Sequence, residues 1–151
     1  MKNLRQVRCW SIYFKNKERL LLPMPACQLL DEVAEEFEGI RNEINRQIGN
    51  PDIIAFAISD MLRSWRYQWL RHKEKPSVVL PQYSYHVAGL AFDYHTSLLN
   101  EYLSRQKFIK IVRNYNWQPI SSEDWHIQRP FKNLGFKSLK EAQIYIGNYG
   151  G

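Results

Sequence analysis

Apolar residues recur along the chain with two periods, and the switch between them divides it into elements. From Leu29 the apolar positions are Leu30, Val33, Ala34, Phe37, Ile40, Ile44 and Ile48. Those steps of three and four predict an amphipathic helix ended by Gly49 and Pro51. The N-terminal QVRCWSIYF alternates instead, with Trp10, Ile12 and Phe14 on one side. It predicts a strand paired with RLLL across the polar KNKE turn, before Pro23 and Pro25 break the chain. IIAFAIS (53–59) is a short continuous apolar run and predicts a buried strand. SWRYQWLRHKEK (64–75) predicts a helix with Trp65, Gln68 and Trp69 on one side, followed by a turn at PSVVLPQY. Helical spacing returns over SLLNEYLSRQKFIKIVRNY (97–115) through Leu98, Tyr102, Phe108, Ile109 and Val112. NWQPISSEDWHIQ (116–128) predicts two short strands around a loop. SLKEAQIYIGNYGG predicts a closing helix capped by Ser138, since Glu141 sits three residues on. With no repeat, low-complexity run or linker, the pattern fits one α+β domain over residues 1–151.

Composition agrees with that. The chain has 151 residues, 44% hydrophobic and 24% charged, which is globular and long enough for a single core without staples. A net charge of +6 favours polyanions, among them nucleic acid, anionic membrane surfaces and a bacterial wall, without choosing between them. The basic residues are scattered and form no nucleic-acid-binding motif. Cys9 and Cys27 lack CxxC spacing and are expected to be two reduced, partly buried thiols. The N-terminus carries positive charge but no continuous apolar run before a cleavage site, so the expectation is a protein made in the cytoplasm without a signal peptide. No segment has the length and apolarity of a membrane span.

The chemistry concentrates in SYHVAGLAFDYH (84–95). His86 and Asp93 are seven residues apart in an apolar segment with Gly89 between them. A straight strand would separate them by ~23 Å at ~3.3 Å per residue. For the two to share a ligand the chain must fold back, and glycine allows a sharp bend without a Cβ penalty. An imidazole and a carboxylate brought together suit a metal such as zinc, which in catalytic sites takes three protein ligands. EDWH (123–126) offers the third in His126. If DWHIQ is a strand, Asp124 and His126 face one way while Trp125 and Ile127 pack behind. Glu123 then stands close to His126 without being forced to coordinate, a position that suits a general base. Taken singly, each of these residues has an ordinary structural reading, a hydrogen-bonded histidine or a turn-capping aspartate. His95, two residues from Asp93, is a rival ligand or a supporting group, and His72 in a basic helix tail is expected to be solvated.

SYHVAGLAFD fits Ser-x-His-x-x-Gly-x-Ala-x-Asp at every fixed position, and EDWH fits a later Glu-x-Trp-His. In this order the two motifs resemble the zinc D-Ala-D-Ala carboxypeptidase family, with its vancomycin-resistance dipeptidases, phage L-alanyl-D-glutamate endolysins and hedgehog-like fold. LRSWRYQWL is similar, more weakly, to the family segment that supplies an arginine to the substrate. The resemblance covers roughly residues 29 to 128. It implies a small antiparallel sheet carrying the zinc site, with His86, Asp93 and His126 as zinc ligands and Glu123 as catalytic base. Arg63 becomes the clamp for the developing oxyanion, with Ser84, Gln68 and Trp125 near the substrate. The substrate implied is a peptidoglycan stem peptide or a D-Ala-D-Ala-type peptide, cut by a water that Glu123 deprotonates. The wall would then be reached by release through phage lysis; the alternative is a cytoplasmic dipeptidase. Departures from the family pattern are Asp60, Met61 and Leu62, where it carries Ser-Gly-Tyr, and NYNWQPISS, where it carries a glycine-rich loop. The rival readings are a non-catalytic zinc-containing hedgehog-like binding module and a basic nucleic-acid binder with structural histidines.

Overall fold

A computed structural model of the protein describes residues 1–13, 18–21 and 27–151. The chain begins with four short strands, β1 (Leu4–Gln6), β2 (Trp10–Tyr13), β3 (Glu18–Leu21) and β4 (Gln28–Leu30). They form two antiparallel pairs, β1 with β4 and β2 with β3, the latter in the register Trp10 opposite Leu21. The expected hairpin is therefore present; Phe14, the KNK of its turn, Leu22, Pro23 and Pro25 lie outside the described residues. Cys9 and Cys27 are buried more completely than expected, and their sulfurs sit 2.6 Å apart beside the β1–β4 pair.

α1 (Asp31–Ile48) follows the predicted stripe: Val33, Ala34, Phe37, Ile40 and Ile44 are buried. Leu29 and Leu30 are buried too, but as strand residues, so the helix starts at Asp31, where acidic residues in the first turn complement its dipole. It stops at Gly49, whose φ of 75° is left-handed and whose N–H donates to Asn45 O. The run 53–59 is a strand only at its end, β5 (Ile58–Asp60); before it the chain passes Ala55, Phe56 and Ala57 through the core, with a single bridge from Ala57 to Trp10. α2 (Trp65–Glu74) is capped by Ser64, whose Oγ accepts from Tyr67 N at 3.1 Å.

β6 (Ala91–Tyr94) is buried throughout. The single helix expected over 97–115 is instead two, α3 (Thr96–Asn100) and α4 (Arg105–Asn114). Ser104 divides them, because its hydroxyl accepts from Lys107 N and starts a new helix at 3.3 Å. β7 (Gln118–Ile120) and β8 (Glu123–Gln128) are the two short strands expected around a loop. α5 (Leu139–Tyr145) closes the chain, with Ser138 capping it by accepting from Glu141 N at 3.2 Å.

The larger sheet runs β5–β6–β8–β7, all antiparallel. Phe92 from its central strand meets Phe37 of α1 edge-on at 5.3 Å, and Phe56, Trp117, Tyr94 and Phe108 extend that aromatic cluster. Burying such large rings is the main favourable term in holding helices to the sheet. A part-buried ion pair adds a polar tie: Arg129 Nε donates to Glu36 Oε1 at 2.9 Å, and Trp117 Nε1 donates to the same oxygen. The result is an α+β fold, and among the described residues no helix is long and apolar enough to cross a membrane.

Candidate metal centre

Pairing in the larger sheet sets Asp60 opposite Asp93 and Asp93 opposite His126, so three polar residues stand in a row across β5, β6 and β8. His86 reaches them from the turn before β6. That turn closes at Gly89, whose φ is 71°, with Leu90 N donating back to Tyr85 O at 2.9 Å. The bend expected at this glycine is present, and space demands it as well. A Cβ there would lie 2.8 Å from Leu30 N, which donates to Gly89 O. The turn is thereby docked on β4 while it swings His86 back towards Asp93.

His86, Asp93 and His126 are all buried, and their potential ligand atoms lie within 4.8 Å of one another. Asp93 Oδ1 is 3.1 Å from His86 Nε2 and 3.1 Å from His126 Nδ1, close to the ~3.3 Å between neighbouring donors of a tetrahedral zinc shell. The outer ring nitrogens explain what points inward. His86 Nδ1 is 2.6 Å from Met61 O, a carbonyl that can only accept, so this nitrogen carries the proton. His126 Nε2 faces Gln128 Oε1 at 2.8 Å in the same way. In their neutral forms both rings then aim lone pairs at one carboxylate oxygen. Protonated rings donating to Asp93, or a cation shared by all three, relieve that crowding. Burial pushes the Asp93 carboxyl up, but hydrogen bonds from His126 and His86 in their protonated forms, with the charge those forms carry, outweigh it and hold the group below the usual carboxylate range. A carboxylate flanked by two oriented imidazoles is a donor set that could hold a metal ion.

The remaining sequence candidates surround a cleft of about 520 Å³ above this group. Glu123 opens β8, with its side chain 42% exposed and Oε2 3.8 Å from His126 Nδ1. Arg63 is nearly buried and fully engaged: Nε donates to Asp60 Oδ2 at 2.6 Å, Nη1 to Gln68 Oε1 at 3.2 Å, and Nη2 to Asp93 Oδ2 at 3.3 Å. Gln68 is buried and also donates to Val79 O, so it spans α2 and the 75–80 loop. Ser84 is buried at the start of the histidine turn, where its Oγ accepts from Val87 N at 3.4 Å.

Three expectations need correction. Trp125 does not pack behind β8 but stands 47% exposed on the cleft wall, and Asp124 is exposed, its carbonyl held by Arg105. The cause is a break in register: Pro119 faces Ile127 and Ile120 faces Glu123, so residues between them depart from strict alternation. His72 is not simply solvated; its Nδ1 lies 2.6 Å from Val78 O, and its ring stacks on Trp69, which is exposed rather than packed beside Gln68. His95 is not one of the three grouped residues, which sets aside the rival-ligand reading: it sits at the start of α3, where its backbone N–H donates to Ala57 O.

Sequence reading missed Asp60, Gln128 and the C-terminal tail. Period-two spacing from His126 could have found Gln128. Nothing local could have found Asn148, which donates to Arg63 O and Val87 O while accepting from Trp65 N, tying three site segments to the tail. Gln143 on α5 likewise donates to Pro81 O and Ser84 O. The chain matches no known protein-family model, and no curated protein matches it significantly.

Proposed function

We propose that the protein is a zinc-dependent peptidase that hydrolyses amide bonds at D-amino acids in peptidoglycan stem peptides, as a D,D-carboxypeptidase or an L-Ala-D-Glu endopeptidase. One observation carries the reading: a buried His86–Asp93–His126 group, a half-exposed Glu123 carboxylate and the Arg63 guanidinium meet at one cleft. Two imidazoles and a carboxylate suit zinc, and both rings are oriented by an oxygen partner on their outer nitrogen. Zinc bound there would polarise the scissile carbonyl and lower the pKa of a water to about 7.

This chain's residues supply the rest. Glu123 is exposed enough to meet substrate and close enough to the histidines to take a proton from the attacking water, then pass it to the leaving amine. Arg63 holds Asp93 from the side away from the histidines and faces the cleft, where its charge favours the developing oxyanion. Trp125 and Tyr83 offer exposed aromatic faces to the peptide.

The test is mass spectrometry of defined muropeptides incubated with zinc-loaded protein, with Glu123→Ala as the blank. Loss of a terminal alanine identifies a carboxypeptidase, and a fragment with a new D-Glu amine identifies an endopeptidase. Glu123→Ala should keep fold and zinc and lose about 10²- to 10⁴-fold in rate. Full activity in that variant overturns the mechanism, and intact muropeptides with the wild-type protein overturn the function.

A further inference from the structure

Two arginines face the cleft, and the protein treats them differently. Arg63 uses all its nitrogens on internal partners and lies against two carboxylates, Asp60 and Asp93. Arg71, in the last turn of α2, pairs with no carboxylate among the described residues. Its Nη1 donates to the neutral Tyr67 hydroxyl at 3.3 Å, and its guanidinium lies over the Tyr67 ring, 5.7 Å from the centroid. Its Nε is shut off from solvent and has no hydrogen-bond partner. The side chain as a whole is half-buried and lines the cleft, so the end of the guanidinium is what a ligand there meets. Lys75, the residue that ends α2, lines the same cleft and brings a further positive charge that pairs with no carboxylate among the described residues.

We infer that Arg71 is the receptor for a carboxylate carried by the substrate, gripping it with the terminal nitrogens of its guanidinium while Tyr67 fixes the guanidinium plane. This deepens the peptidase reading and rests on it: stem peptides carry free carboxylates both at the C-terminus and on D-glutamate. The planar fork matches a carboxylate in two-point contact, which a lysine ammonium does not. Arg63 and Arg71 then divide the work. The first stays with the metal group and the scissile carbonyl, and the second selects which peptides place that carbonyl correctly.

Two probe pairs test this and separate the sources of the carboxylate. Acetyl-L-lysyl-D-alanyl-D-alanine is compared with its C-terminal amide, and L-alanyl-D-isoglutamyl-L-lysine with its isoglutamine form. In zinc-loaded wild-type protein one acid should exceed its amide in kcat/KM by about 10- to 100-fold, the range of a charge-assisted hydrogen bond. Arg71→Ala should bring that ratio close to one by slowing the acid alone, and Arg71→Lys should restore part of it. Calorimetric binding of the same probes to zinc-loaded Glu123→Ala should give the same acid preference, lost when Arg71→Ala is added. Equal handling of acid and amide in both pairs overturns the inference, as does a preference that survives Arg71→Ala. If no probe is cleaved, the peptidase reading falls, and the binding ratio alone then decides for or against Arg71.

Discussion

Gln128 lies two residues beyond His126 on the same strand, and its amide oxygen settles which histidine nitrogen faces Asp93. Replacing that acceptor with an apolar group of similar size frees the ring to rotate or change tautomer while leaving the sheet pairing alone. Gln128→Leu should therefore keep the fold and weaken zinc affinity by about 10- to 100-fold, measured by competition with a chromophoric chelator. An unchanged affinity would remove Gln128 from the site. Gly89 is the complementary case, where backbone rather than side chain matters. Its left-handed φ and the 2.8 Å approach to Leu30 N leave a methyl group nowhere to go. Gly89→Ala should cost about 2 kcal/mol or more in urea unfolding. A midpoint equal to wild type would mean that the turn relaxes freely.

At the level of elements, pattern and boundary were legible to different degrees. The stripe of α1 could be read almost residue by residue, because a long amphipathic period leaves few alternatives. The segment 97–115 was readable as helical but not as broken, since Leu98, Phe108 and Val112 keep helical spacing across the break. Leu103 is buried in the connection itself, so packing holds the chain there while Ser104 starts the second helix. Ser104→Ala should lower stability by about 1 kcal/mol, seen as a shifted denaturation midpoint at constant m-value. No shift would assign the break to packing alone. The bulge between β7 and β8 is a second element-scale feature; it turns Trp125 to the cleft where alternation would have buried it.

Across the whole molecule, the candidate site is held by parts distant in sequence. β5 brings Asp60, the turn before β6 brings His86, β8 brings His126, and Asn148 bonds to Arg63 O from 85 residues away. A metal ion bound by His86, Asp93 and His126 would bind only the assembled fold, so binding and folding free energy are linked. Zinc at 100 times its dissociation constant should stabilise the protein by about 2.7 kcal/mol, read as a raised Tm that falls again on adding chelator. Identical melting curves with zinc and with chelator would sink the metal centre. Residues 136–151 have a structural role in this picture: α5 and Asn148 hold the segments on which Ser84, Val87 and Arg63 sit.

The sequence by itself determined what short-range periodicity and local chemistry can carry: the long helix, the two short strands between 116 and 128, the caps at Gly49 and Ser138, and the need for a bend at Gly89. Each is encoded within a few residues. Tertiary structure alone decided that Arg63 is held against Asp93, that Trp125 faces outward, and that the tail buttresses the site. Those outcomes depend on where hydrogen-bond partners and packing surfaces from other segments arrive, and no local pattern records that.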